Sequence, residues 1–577
     1  MKSSLVSLVP ILGIVGGIAF AGCATGEAIP EDTPPEEVTP TDGGSTPDAV
    51  KPPVKCTPGQ CPTGFYNLDG KADGDNCGCE YACTKRGEDD PFDTGFVDAN
   101  CDGSDGIVNE CVYVSTSVGN DSGDGSRVKP YKTIAAALAV AGAGTKKRPV
   151  CLSAEKYTEA VDLPSGVSLY GGFDQADPSF PFRRTTKRGT ADISTVIVAP
   201  EVGIQAGTGI LVRDLKDETH IENLTLQVKI PAATDGASVY GIRLVGGTAQ
   251  LFVRKNVFEL GAGNPGTVGA NADPITPASA PNGIVGGGGC SDCSSYGQGG
   301  AAPSCSFPGG RGGNGANGSG GTGQAGSAGF GGASGGGGGG GTSCISANGG
   351  GTGNIGNPGG AGLTPTLGGA GGVPLGTIVN GLYVPPSGST GVGGGNGGGG
   401  GGGGGGGSSA HSWPFCYDDG GGGGGSGGCG GAGGGPGRGG TGGGSSIGVL
   451  VGGSSAVIEA NVFTLGNGGT GGAGGSGSLG QVGGSGLGGG GGASSAAAGG
   501  PGGKGGNGGA GSGGGGGTGG FSVRIARIGT AVVTETTNTG TLGVAGKGGQ
   551  GGPGGAGAPA GSSGSDGLAK EIVVLGN

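Results

Sequence analysis

Gly397–Gly407 is an unbroken run of eleven glycines, and no ordinary hydrophobic core can be built on it. Glycine has no side chain to bury and loses the most conformational freedom when ordered. The run is part of a wider bias, because 164 of the 577 residues are Gly, about four times the usual share of ~7%. Collagen is excluded. A triple helix needs strict Gly-X-Y and abundant Pro, whereas this chain has continuous Gly runs and 34 Pro. Only 12% of residues are charged, which argues against a wholly disordered, charge-rich chain. The net charge of −12 argues against nucleic acid or anionic lipid as a charge-attracted partner.

The N-terminus reads as an export signal. Lys2 supplies the positive start, and Leu5–Phe20 is an apolar stretch too short for a transmembrane helix. It ends in Phe20-Ala21-Gly22-Cys23, which resembles the lipobox of bacterial lipoproteins. The resemblance implies lipid modification of Cys23. Ala24 after it implies, again by resemblance, the outer membrane of a Gram-negative envelope. Several acyl chains would anchor the protein durably. Glu27–Lys55 is rich in Pro, Glu and Thr and lacks aromatics, so it is expected to be an extended spacer.

Setting Cys23 aside leaves an even number of cysteines in an exported chain, which implies a disulfide framework. They form two groups: Cys56, Cys61, Cys77, Cys79, Cys83, Cys101, Cys111 and Cys151, then Cys290, Cys293, Cys305, Cys344, Cys416 and Cys429. Each group can pair internally, and the connectivity is open. Within the first group, Asp98-x-Asn100-x-Asp102-Gly103 has the alternating oxygen ligands and Gly turn that open a calcium loop. It resembles Asp/Asn-rich metal-binding motifs of bacterial surface proteins. Asp105 is a further candidate ligand. The twelfth position is Asn109, with Glu110 one residue later. Asn67, Asp69, Asp73 and Asp75 make a looser cluster. Calcium is the candidate ion; the other reading is a solvated Asn/Asp-rich turn.

Beyond Cys111, short β-branched runs are parted by Gly, Pro or Asp: Val112–Ser115, Val150–Ser153, Val167–Phe173, Thr195–Ala199, Ile221–Val228, Gly241–Val245 and Gln250–Phe258. These predict strands, and Thr133–Ala141 predicts the one helix. Four similar units recur, each opening on an Asn: Asn223-Leu-Thr-Leu, Asn256-Val-Phe-Glu-Leu-Gly, Asn461-Val-Phe-Thr-Leu-Gly and Asn538-Thr-Gly-Thr-Leu-Gly. Recurring strand units with insertions predict a solenoid. Its four Asn are expected to stack as a ladder that satisfies buried turn backbone. The segments Cys111-Val-Tyr-Val-Ser, Gly119–Ser126, Lys129-Pro-Tyr-Lys-Thr-Ile, Leu163-Pro-Ser-Gly-Val and Leu169-Tyr-Gly-Gly-Phe resemble the opening of pectate-lyase-like right-handed parallel β-helices. The resemblance implies an all-β fold with the helix capping its open end.

Three Gly-rich stretches follow Leu260-Gly261, Leu465-Gly466 and Leu542-Gly543. They are expected to leave one corner of successive turns and to adopt extended threefold helices, with three residues per turn. The alternative is flexible linker. This organisation resembles the PGRS-type glycine-rich proteins of bacterial cell surfaces. The expected layout is a signal peptide at 1–22, lipidated Cys and linker at 23–55, Cys-rich module at 56–111, capped rungs at 112–262, a Gly-rich insertion with six Cys at 263–444, and further rungs with two Gly-rich insertions at 445–577.

β-helix relatives include polysaccharide lyases and hydrolases, which need clustered carboxylates and a base. The local cluster Arg213, Asp214, Asp217, Glu218, His220 and Glu222 reads as an exposed, solvated turn. His411-Ser-Trp413-Pro-Phe415-Cys416-Tyr417 is an aromatic knot, read as a mini-core over a sugar-stacking site. The expectation is a non-enzymatic, lipid-anchored outer-membrane protein with a structural, adhesive or interaction role. Its partners would be the membrane through the anchor, and a glycan or surface protein. The alternatives are a polysaccharide-active enzyme and a non-catalytic glycan-binding module.

Overall fold

The computed structural model describes residues 57, 60–71, 77–178, 180–201, 207–232, 235–292, 295–318, 320–343, 350–410 and 418–576. The signal peptide, Cys23, the Pro-rich spacer and the aromatic knot around Trp413 lie outside them. The described chain is nearly all β. Its one α-helix is Ile134–Ala141, with Thr133 as N-cap accepting from the Ala136 N–H. Glu159 accepts from the next two free N–H groups, those of Ile134 and Ala135, so the first turn is satisfied. Ile134, Ala137, Leu138 and Ala141 are buried in the same core cluster as Val112, Val114 and Val150. The helix thus covers the apolar interior beside the first strands.

Three parallel sheets organise the rest. The first contains Val161–Leu163, Thr208–Leu215, Val239–Gly247, Ser446–Gly452, Ser522–Ile528 and Ala569–Leu575. The second contains Val112–Val114, Val150–Ser153, Leu169–Asp174, Thr219–Glu222, Gln250–Arg254, Ser455–Glu459 and Val532–Thr536, with Arg183–Arg184 added antiparallel. The third contains Lys156–Thr158, Thr195–Val198, Leu224–Val228, Val257–Leu260, Val462–Thr464 and Thr539–Thr541. The chain visits first, second and third sheets in turn, then repeats. Alternation puts one set of side chains inside. Ile210, Ile242, Val449 and Ile525 align in the first sheet, and Ile221, Val253 and Ile458 align in the second. All seven are fully buried. Phe258 and Phe463 stack in the third at 4.5 Å.

Two predicted strands are corrected. Ile221–Val228 and Gln250–Phe258 are each two strands meeting at a corner, where Asn223 (φ 56°) and Lys255 (φ 51°) are left-handed. Ala460 (φ 54°) and Thr537 (φ 55°) turn the same corner in later rungs. The Asn ladder is corrected with them. Pairing aligns Thr225, Val257, Val462 and Thr539, so Asn256, Asn461 and Asn538 share one position and Leu224, not Asn223, is the fourth. Asn461 Oδ1 accepts from the Asn256 N–H and Nδ2 at 2.9 and 3.1 Å. Asn538 Oδ1 does the same for Asn461, at 2.9 Å each, and Asn256 Oδ1 accepts from the Leu224 N–H. Asn223 instead donates to Gly171 O at 3.3 Å. Asn461→Ala should therefore cost about 2 kcal/mol, because it strips a buried N–H of its acceptor. Asn223→Gly should stay within about 0.5 kcal/mol, because Gly accepts the same φ. Denaturant midpoints of the two variants check this.

The glycine stretches continue the same stacking. After the third sheet, N–H groups of Gly263, Gly266 and Gly269 donate to Asn467, Thr470 and Ala473, and those of Gly468, Gly471 and Gly474 donate to Val544, Lys547 and Gln550. Deeper in the layer, the run 397–408 bonds in three directions in strict rotation. Gly397, Gly400, Gly403 and Gly406 donate to Gly431, Gly428, Gly425 and Gly422. Gly398, Gly401, Gly404 and Gly407 donate to Gly360, Asn357, Asn354 and Gly351. Gly399, Gly402, Gly405 and Ser408 donate to Phe330, Ser327, Gln324 and Gly321. Three more segments donate into it: Gly310 and Gly313 to Gly400 and Gly403, Gly336 and Gly339 to Gly402 and Gly405, and Gly503 and Gly506 to Gly401 and Gly398. Six neighbours surround this segment, so no face is free for a side chain. A methyl built on Gly401, Gly402 or Gly403 would lie 2.0, 2.0 or 2.1 Å from the carbonyl oxygen of Ser334, Arg311 or Gly500. At the margin the texture changes to Gly-Gly-X, and Pro501, Lys504 and Asn507 point outward, exposed.

Candidate functional site

The segment before Val112 is small and short of apolar residues, and disulfides hold it. Cys61–Cys79 and Cys83–Cys101 each close 18 residues of chain, and Cys111–Cys151 ties the segment to the second sheet. Cys305–Cys429 crosses the first glycine insertion. Cys77 and Cys290 are also disulfide-bonded, whereas Cys56, Cys293, Cys344 and Cys416 lie outside the described residues. Each described pair falls within one of the two sequence groups.

The Asp98–Gly103 turn is shaped by its own side chains. Asp98 accepts from the N–H groups of Asp102 and Gly103 and from the Tyr81 hydroxyl at 2.8 Å. Asn100 Oδ1 accepts from the Asp102 N–H, and its amide donates to Asp102 Oδ2. Gly103 sits at φ 110°, where a side chain is strained. Asp98 and Asp102 thus come together, and a third carboxylate joins them. It is Asp90, not Asp105. One oxygen from each of Asp90, Asp98 and Asp102 lies within 4.8 Å of the others. Asp90 Oδ1 accepts from Ala99 N–H, while Asp90 Oδ2 and Asp102 Oδ1 are buried with no hydrogen-bond partner. Burial, with the charges of Asp98 and Asp102, pushes the Asp90 carboxyl up to about 6. Burial also raises Asp102. Of the looser cluster, Asn67 and Asp69 accept backbone N–H groups of Gly70 and Lys71; Asp73 and Asp75 lie outside the described residues.

Asp105 is drawn away from the turn by Arg184, whose Nη1 lies 2.6 Å from its Oδ2. Both side chains are at most 1% exposed. Arg184 also donates to Gly171 O at 3.2 Å and faces Glu222 at 3.7 Å. The rings of Phe92, Phe96, Tyr170 and Phe173 surround its guanidinium at 4.7–6.0 Å. Phe92 stacks on Tyr170 with centroids 4.0 Å apart. This caged cation docks the disulfide segment onto the second sheet. In the sequence its only signal is the pair of arginines after Phe180-Pro-Phe182, whose nearest acids are Asp174 and Asp177 rather than Asp105.

The cluster around His220 divides. Arg213 pairs with Asp162 at 3.0 Å on the exposed side, as a solvated charge would. His220 and Glu222 lie in a strand, and Glu222 is 2% exposed, which corrects the exposed-turn reading. His220 Nδ1 meets Glu222 Oε1 at 2.9 Å and Nε2 meets Glu218 Oε1 at 3.1 Å, with the ring stacked on Phe252 at 4.6 Å. Burial alone would lower the imidazole pKa, and the two carboxylates outweigh it and raise it. Arg254, on the adjacent strand, and Arg184, on the strand added at Leu169–Asp174, both face Glu222. A raised folded-state pKa means that the imidazolium stabilises the fold below about pH 6.5, and that this contribution fades as pH rises through the folded value. His220→Asn should therefore narrow the gap in denaturation midpoint between pH 6 and pH 8.

Among the described residues no helix is long and apolar enough to cross a membrane. No protein-family model, curated protein or solved structure matches the chain.

Proposed function

We propose that the chain is a non-enzymatic, lipid-anchored protein of a bacterial cell envelope, in which a right-handed parallel β-helix carries a rigid polyglycine-II layer for structural, adhesive or interaction work. The observation that carries this reading is the shared exit of the three glycine insertions between the third and first sheets, where they stack on one another every third residue. A flexible linker needs no such rotation of hydrogen bonds. Right-handedness is supported by the strong preference of parallel crossovers for that hand. The anchor is supported by Phe20-Ala21-Gly22-Cys23 and the Pro-rich spacer; resemblance to PGRS-type surface proteins supports the setting. Cys23→Ala should move the protein from the membrane to the soluble fraction, and protease shaving of whole cells should report which face it occupies. Retention of the variant in the membrane would sink the anchor.

The second reading is a polysaccharide-active or glycan-binding β-helix. The His220–Phe252 stack beside Glu218 and Glu222 is the best place for it. However, Glu222 is already surrounded by His220, Arg184 and Arg254, which leaves little free carboxylate for acid–base work. A glycan array combined with a reducing-end release assay separates the readings, and turnover of any polymer would overturn the first.

A further inference from the structure

We infer that Asp90, Asp98 and Asp102 form a binding site for calcium, and that the ion fastens the loop that docks the disulfide segment onto the second sheet. The inference stands apart from the envelope reading. Three oxygens of separate carboxylates converge within 4.8 Å. Among the described residues none of the three is ion-paired, in contrast to Asp105, Asp174 and Asp177 nearby. Asp90 is 3% exposed, and its Oδ2, like Asp102 Oδ1, has no donor. A buried acceptor without a partner is costly, and close carboxylates repel. A cation satisfies both at once.

The remaining oxygens are held by donors that fix the carboxylates in place. Ala99 N–H holds Asp90; Asp102 N–H, Gly103 N–H and Tyr81 OH hold Asp98; and Val108 N–H with the Asn100 amide holds Asp102. Outer partners of this kind orient ligands in metal sites. Asn100 is thus a framework residue, and the ligand supplied from outside the turn is Asp90. All donors are hard oxygens on an irregular loop, which suits calcium, with its tolerance of varied geometry, over magnesium, which demands an octahedron. Water would complete the coordination. A cavity of about 410 Å³ lies beside Asp90, lined also by Phe92, Lys147 and Tyr170.

The consequence for docking follows from sequence distance. Phe92, stacked on Tyr170, is two residues from Asp90. Asp93 donates its N–H to Asp105, the partner of Arg184. Whatever fixes Asp90 fixes this clamp.

The test uses the full chain. Terbium(III) should give sensitised emission through Tyr81, whose hydroxyl lies 2.8 Å from Asp98 Oδ2, and calcium chloride should displace it at least tenfold more effectively than magnesium chloride. Asp90→Asn should weaken terbium binding at least tenfold, while Glu110→Gln leaves it unchanged. Calcium should slow proteolysis within 85–110 in the parent chain but not in Asp90→Asn. Absence of saturable emission in the parent chain, equal binding by Asp90→Asn, equal displacement by magnesium, or proteolysis indifferent to calcium would each overturn the proposal. The parent-chain titration decides the first outcome without any variant.

Discussion

Gly403→Ala should destabilise the protein by about 3 kcal/mol or more, although it adds one methyl to a residue that has no unusual φ. The new Cβ would sit 2.1 Å from the Gly500 carbonyl oxygen, and no real contact is that short. Relief requires the neighbouring segments to part. They cannot do so singly, because Gly403 donates to Gly425 and accepts from Gly313, while Gly500 donates to Gly404. Inserting even small groups into well-packed interiors typically costs 1–3 kcal/mol, and this interior is made of backbone, which cannot change rotamer. Gly360→Ala is the matched control. Gly360 lies in an adjoining segment, yet nothing lies within 4 Å of a methyl built there. It should be neutral or stabilise by a few tenths of a kcal/mol through the unfolded chain. Urea midpoints report the contrast. Hydrogen exchange should show protection lost across 422–431 and 351–360 in Gly403→Ala alone. If both variants behave alike, the layer does not pack as described.

Arg184→Met should cost about 3–5 kcal/mol, the range expected when one member of a buried ion pair is removed and the other stays. Met roughly keeps the volume, so packing against Phe92, Phe96 and Tyr170 changes little. What remains is Asp105 with its carboxylate facing no cation at 0% side-chain exposure, and Glu222 with one cation fewer. The clamp on the second sheet should loosen, and proteolysis between 85 and 110 should accelerate, while the distant rung at Ser522–Thr541 keeps its exchange protection. Arg184→Met combined with Asp105→Asn should recover part of the loss, since the stranded charge is then gone. No recovery in the double variant would mean that the cage of rings, not the ion pair, holds the segment.

The glycine runs could be read because composition alone marks their packing. A run with Gly at every position belongs where neighbours close in on every side, as at 397–407, and Gly-Gly-X belongs at the margin, as at Pro501, Lys504 and Asn507. The Asn units could be read too, but not their register. A spacing of 33 from Asn223 to Asn256 looks like one repeat, yet the paired position is Leu224, 32 residues before Asn256. Four residues turn that corner with positive φ, and only Asn223 is of a type enriched there. Lys255, Ala460 and Thr537 are placed by the rungs above and below them, which no local signal announces. The acidic turn failed in the same way. Asp105 lies close to the turn in sequence and Asp90 does not, and the partner that removes Asp105 stands 79 residues away. Local chemistry was legible; pairings decided by the coil of the chain were not.

The rotation of hydrogen bonds through three directions gives the glycine layer a reading frame. Adding or deleting three residues slides a segment by one full turn and leaves every outward group outward. Adding or deleting one residue twists the remainder by a third of a turn, so that Pro501 or Lys504 would swing toward a neighbouring backbone. At the level of the gene, nine-nucleotide slippage in these repeats is structurally mild and three-nucleotide slippage is not. Copies that differ in length should therefore differ, within a segment, by whole triplets of residues.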